Sequence, residues 1–274
     1  MSFLVKFWGV RGSIACPTAD HIRYGGNTTC VEMRLGDRRL IFDAGTGIRD
    51  LGQDFVKNGA THIDLLMTHT HWDHINGFPF FTPAYGDKYT LNIWAGHLKD
   101  AGHSIKEILS TQMNNPMFPV PLEAMQAKLS FNDFSAGETL DIGGGMKVRT
   151  APLMHPNGAT GYRVDWDGKS ACLITDTEHK VGELDQNILG LIEGADLVIY
   201  DSTYTEEEFP SKVGWGHSTW NQGMKLCKEA GVGRLAIFHH DPDHNDAFME
   251  KLEEEAVSTW EGCFVAREGM DIHL

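Results

Sequence analysis

Four side chains able to bind a metal fall within six positions: His69, His71, Asp73 and His74, directly after the apolar run Leu65-Leu66-Met67. Imidazole and carboxylate suit zinc, iron or manganese. Residues two apart in extended backbone project from one side, so His69 and His71 face the same way. Asp73 and His74 fall where the chain is expected to turn into a helix, which aims them back at the same region. Fourteen histidines allow clusters by chance. Chance seldom sets one at the end of a buried-type strand with an aspartate inside it. The run is read as the nucleus of a metal site, and its chemistry as metal-assisted hydrolysis.

Short β-branched or aromatic runs ending in Gly, Asp or His supply the elements that must hold such a site. Strands are expected at 3–10, 29–35, 39–43, 63–68, 91–95 and 129–134, then at 146–151, 161–166, 170–175, 197–200, 234–238 and 264–266. Helical periodicity covers 47–58, 104–113, 184–193, 219–229 and 245–258. The first half holds more strand than helix and the second alternates more regularly. That mix predicts two sheets packed face to face with helices outside, not one doubly wound parallel sheet. No repeat and no low-complexity linker divides the chain, so one domain over 1–274 is expected. The segment Gln112–Leu122, with three prolines and two methionines, reads as a loop. It is either a lid or subunit contact, or a surface crossover packed on the core.

Composition bounds the partners. The formal net charge of −15 argues against long nucleic acid, which is tracked by Lys and Arg replacing counterions. A small anionic substrate stays compatible, because bound divalent ions reverse the local field. The five cysteines lie far apart without a C-x-x-C pair, which points to buried free thiols. Lys6 and Arg11 interrupt the apolar N-terminus, and no stretch approaches a membrane span. No membrane contact and a cytoplasmic location are expected.

The string His69-x-His71-x-Asp73-His74 resembles the H-x-H-x-D-H signature of the metallo-β-lactamase superfamily. Later signature positions occur in order: His155 after a strand, Asp176 in Leu173-Ile174-Thr175-Asp176, and His239 in Ala236-Ile237-Phe238-His239. The resemblance covers nearly the whole chain. It implies an α/β fold, an αββα four-layer sandwich with metals at one edge of the paired sheets. It also implies two divalent ions, zinc first, with manganese or iron as the other candidates. One ion is assigned to His69, His71 and His155, the second to Asp73, His74 and His239, and Asp176 is shared. His240 competes for the last position. Adjacent strand residues point to opposite faces, so only one of the pair reaches the site, and the spacing to Pro242 favours His239.

Trp215-Gly216-His217-Ser218-Thr219 resembles the H-S-T element of the tRNase Z and cyclic-phosphodiesterase branch. This implies that His217 donates a proton and that Asp201 orients it. The plainer reading makes His217 a polar helix-start residue. Asp43, in Ile41-Phe42-Asp43-Ala44-Gly45, matches a further superfamily element that supports ligands or fold. The runs Phe7–Ser13 and Gly25–Thr28 also resemble this branch, and Arg11 is expected either to pair with a phosphate oxygen or to form a surface ion pair. The basic arm with which tRNase Z grips tRNA has no evident counterpart, and the tail is acidic from Glu250 to Glu255.

The expectation is a dinuclear phosphodiesterase acting on a small, cyclic nucleotide-type diester. A hydroxide bridging the metals attacks phosphorus, Asp73 and Asp176 fix it, and His217 with Asp201 protonates the leaving oxygen. The alternatives are hydrolysis of an acyl ester, thioester or lactone on the same site, and a non-catalytic metal-dependent sensor. Family habit makes a homodimer the candidate assembly.

Overall fold

The computed structural model describes residues 3–143 and 145–274. Strands β1 (Phe3–Gly9), β2 (Cys30–Leu35), β3 (Arg38–Phe42), β4 (His62–Met67), β5 (Thr90–Ala95) and β6 (Lys128–Asp133) build one sheet. Strands β7 (Thr139–Asp141), β8 (Lys147–Leu153), β9 (Ala159–Trp166), β10 (Lys169–Ile174), β11 (Leu197–Asp201), β12 (Arg234–Phe238) and β13 (Cys263–Val265) build the second. The last strand, β14 (Asp271–His273), returns to the first sheet and pairs antiparallel with β1. Strands β3 to β6 run parallel, as do β10 to β13.

Period-two alternation explains the layering. Leu40 and Phe42 face the core between the sheets, while Ile41 faces outward. On the second sheet Ile199, Ala236 and Phe238 enter the same core, and Val198, Tyr200, Leu235 and Ile237 face out. Helices α1 (Ile48–Asn58), α2 (Trp72–Ile75) and α3 (Ile105–Gln112) accompany the first sheet; α4 (Gln186–Ile192), α5 (Trp220–Glu229) and α6 (Asp246–Thr259) accompany the second. Buried residues of α1 and α3 join the outer face of the first sheet, and those of α4, α5 and α6 the outer face of the second. The result is an αββα sandwich, as expected from the resemblance. Side chains of Ser104, Asp185, Thr219 and Asn245 accept amide hydrogens at the starts of α3 to α6, each cap contributing about 1 kcal/mol.

Every expected strand and helix is present, with ends displaced by one or two residues. Strands β7 and β14 were not expected. Each spans three residues and alternates exposed polar positions around one apolar residue, too short for a periodic signal. In the Gln112–Leu122 segment Met113 and Leu122 are buried in the layer outside the first sheet, Phe118 meets Phe80 edge-on, and Met117 is exposed. All five cysteines are free and buried. Among the described residues, no helix is long and apolar enough to cross a membrane.

Candidate metal centre

The parallel strands of both sheets end at one edge, where ligands bind open α/β sheets. Beyond β4 come His69 and His71, then Asp73 and His74 on α2; beyond β8 comes His155, beyond β10 Asp176, beyond β12 His239, and Asp201 ends β11. Two hydrogen bonds tie the sheets together beneath them: Tyr162 Oη donates to Met67 O at 2.6 Å, and Thr160 N to Thr68 O at 2.9 Å. Six described non-glycine residues adopt positive φ, and three of them, Asp43, Asp176 and His239, follow strand ends at this edge. Such conformations cost about 1–3 kcal/mol each and persist where the surroundings impose them. The left-handed turn at His239 also separates the adjacent histidines. His239 faces the cluster, whereas buried His240 donates Nε2–H to Ala266 O at 2.8 Å.

Among the described residues the ligand-capable atoms form four overlapping groups: one is Asp176, Asp201, His217 and His239, another is His69, His74 and Asp176, and the remaining two are separate sets. His69, His71 and His155 come within 4.8 Å of one another, as do Asp73, His74 and His239. Asp176 lies between them. Its Oδ1 is 3.2 Å from His74 Nε2 and 3.3 Å from His239 Nε2; its Oδ2 is 3.6 Å from His155 Nε2 and 3.7 Å from His69 Nε2. Four of the imidazoles have a partner at Nδ1: Thr68 for His69, Asp43 for His74, Gly216 O for His155 and Thr203 for His239. A hydrogen on each Nδ1 leaves the Nε2 lone pair pointing inward. His71 is turned the other way, with Nδ1 3.0 Å from His155 Nε2 and Nε2 3.3 Å from the Asn157 amide.

This arrangement fits divalent cations. His69 Nε2 is buried without a hydrogen-bond partner, and inward ring nitrogens approach each other at 3.0 Å in His71–His155 and 3.3 Å in His74–His239. Burial raises the Asp73 carboxyl, but His74 and His239 override it and hold it well below the usual range. Asp176 is held low in the same way, by His239, His74 and His69. Burial likewise opposes a proton on His74, yet Asp176, Asp73 and Asp43 lift its pKa well above the ordinary value. A buried cavity edged by ionised carboxylates favours positive charge.

His217 stands beside both sets. Its ring stacks on His239 at 4.9 Å between centroids, and its Nδ1 lies 2.9 Å from Asp201 Oδ2. Burial favours the neutral ring, but Asp201, followed by Asp176 and Asp73, raises the pKa to about 9. Asp201 is itself fixed by the amides of Thr177 and Thr203 and the Thr203 hydroxyl.

All the singled-out site residues therefore meet at one edge. Arg11 requires a correction. It is fully buried and so forms no surface ion pair; its guanidinium donates to the carbonyls of Gly25, Asp241 and His244, stapling two loops behind the centre. Several contributors were missed: Thr68 and Thr203, Ser13, whose amide donates to Asp73 Oδ2 at 2.7 Å, Asn157, and Glu178. Thr68 and Glu178 flank ligand positions at strand ends, the one signal that could have flagged them.

The family model described as the beta-lactamase superfamily domain matches residues 38–240. The chain is 22% identical over 321 residues to a ribonuclease Z of Haloarcula marismortui, covering 99% of this chain and 96% of that protein. Among solved structures it resembles the metallo-beta-lactamase fold protein YhfI from Bacillus subtilis, with a TM-score of 0.74, 17% identity and coverage of 100% and 99%. It also resembles the short form of human tRNase Z, with a TM-score of 0.69, 18% identity and 98% of each chain covered. Those names overturn the expectation against long nucleic acid. A charge of −15 sums the entire surface, whereas an RNA end meets one mouth whose field is set locally. The chain belongs to the beta-lactamase superfamily.

Proposed function

We propose that this chain is a phosphodiesterase with a two-metal centre, acting on nucleotide diesters, with small cyclic nucleotide-type diesters as its substrate class. The observation that carries the reading is the Asp201–His217 pair, at 2.9 Å, placed against a carboxylate whose two oxygens look at different histidine sets. When bound, two divalent ions supply an activated water and neutralise charge on the phosphoryl oxygens. His69, His71 and His155 would hold one ion and Asp73, His74 and His239 the other, with Asp176 within reach of both. With its pKa raised to about 9, His217 carries hydrogens on both nitrogens; Asp201 holds the one on Nδ1, and Nε2 gives the other to the leaving oxygen, leaving a neutral ring. A binding site alone has no use for such a donor. The ribonuclease Z names among the relatives favour a second reading on the same chemistry, in which the diester is part of an RNA.

The test is hydrolysis of bis(p-nitrophenyl) phosphate by the zinc- or manganese-loaded protein, beside acyl ester, thioester and lactone panels. Turnover of the diester, lost together with bound metal in His69→Ala, supports the reading. Turnover of acyl substrates alone contradicts it.

A further inference from the structure

The segment from Lys212 to Gly216 leads directly into His217, and it is built more firmly than its loop position requires. Glu178 Oε2 accepts the amide hydrogens of both Gly214 and Gly216, each at 2.8 Å. The Glu178 amide donates to Met154 O at 2.7 Å, and Gly216 O takes the hydrogen of His155 Nδ1 at 2.7 Å. Gly216 has φ +89, and a Cβ there would lie 2.4 Å from His155 Nδ1. The clamp thus ties the segment to the strand ends that carry His155 and Asp176.

Between the two clamped glycines stands Trp215, whose backbone is fixed on both sides while the residue stays 61% exposed. The Lys212 ammonium lies 4.6 Å from the Trp215 ring and 5.6 Å from the Tyr204 ring. Tyr204 in turn meets His217 edge-on at 5.9 Å. The run His217, Tyr204, Lys212, Trp215 therefore leads from the proton donor to an indole braced by a cation and open to solvent. Trp72 is more exposed, at 84%, but no contact among the described residues holds its ring, so exposure alone gives it no role.

A stiff aromatic surface with a cation at its edge suits a nucleotide: the base stacks on the ring, and the cation meets the sugar-phosphate charge. The backbone that carries the ring is already fixed, which lowers the ordering cost. We infer that Trp215, fixed by Glu178 and Lys212, is the nucleobase-stacking subsite of this centre, for the nucleoside attached to the scissile phosphodiester. The inference rests on the phosphodiesterase reading above and gives that site its substrate class.

Two diesters with one leaving group isolate it: a thymidine p-nitrophenyl phosphodiester and methyl p-nitrophenyl phosphate, each with the zinc-loaded full chain. Trp215→Ala is expected to lose about tenfold or more in kcat/KM on the thymidine ester, mostly through KM, and to leave the methyl ester unchanged. Trp215→Phe retains most of the preference. Equal losses on both esters, or none on either, overturn the inference. If the parent protein hydrolyses neither ester, the phosphodiesterase reading fails, and binding then decides the subsite. Thymidine monophosphate should quench tryptophan fluorescence in the parent more than in Trp215→Phe, and inorganic phosphate should do so in neither. The same quench in both proteins, or none, overturns it.

Discussion

The two halves of the centre, three imidazoles in one and a carboxylate with two imidazoles in the other, are held differently. Asp73, His74 and His239 are buried, and their backing is buried too: Asp43 behind His74, Thr203 behind His239. His71 is half-buried, and its outer nitrogen meets the exposed amide of Asn157. Charge in a low dielectric stiffens the Asp73 set; in the other, His69 and the His155 side chain are buried and His71 alone reaches toward solvent. Asp176 is the single group common to both.

Removing Asp176 should therefore break the comparison outright. Asp176→Ala is expected to purify with both ions depleted and without hydrolysis, measured by elemental analysis and turnover on one sample. Depletion of one ion only would assign the shared role elsewhere. His217→Ala should keep both ions and lose about 10²–10⁴ in kcat on a poor leaving group, and much less on nitrophenolate, which needs no proton. Equal losses on both leaving groups would remove the donor assignment.

Smaller changes separate the halves. Asp43→Asn takes the charge from behind His74 and should weaken metal affinity about 10–100-fold, the usual range for such outer partners. Asn157→Ala, at the exposed end of His71, should cost clearly less, because water replaces the amide. Competition with a chromogenic chelator reads both. Affinities reduced alike would mean that burial does not distinguish the halves.

The smallest effect belongs to the wall behind them. Burial, with Arg11 adjacent, lowers His240 to about 3, so it is neutral in the native state while donating to Ala266 O. Unfolded, it takes up a proton near pH 6.5. As pH falls below that value the unfolded chain binds more protons, so stability present above about 6.5 is lost on acidification. The loss should be on the order of 1 kcal/mol between about pH 7.5 and 5.5. Urea midpoints should fall over that range in the parent, and by less in His240→Gln. An equal fall in both would exclude His240 as its source.

These residues also show what can be read from a chain before it folds. Layering was legible because alternation such as Leu40-Ile41-Phe42 writes two faces directly into the order of residues. The cluster of candidate ligands was legible because imidazoles and carboxylates recur just after such runs. Arg11, Thr203 and Glu178 were not. Their partners lie far off in sequence or on backbone amides and carbonyls, so residue type carries no trace of the pairing. Strands β7 and β14 lacked the length to show a period, and the turn that separates His239 from His240 is imposed by neighbouring elements.

The central claim is that the strand-end cluster holds a pair of cations joined through one carboxylate. Anomalous diffraction from crystals grown with zinc tests it most directly. Two peaks are predicted, one bounded by His69, His71 and His155, the other by Asp73, His74 and His239, with an Asp176 oxygen toward each. A fully loaded crystal with a single peak, or with zinc away from Asp176, would contradict the account.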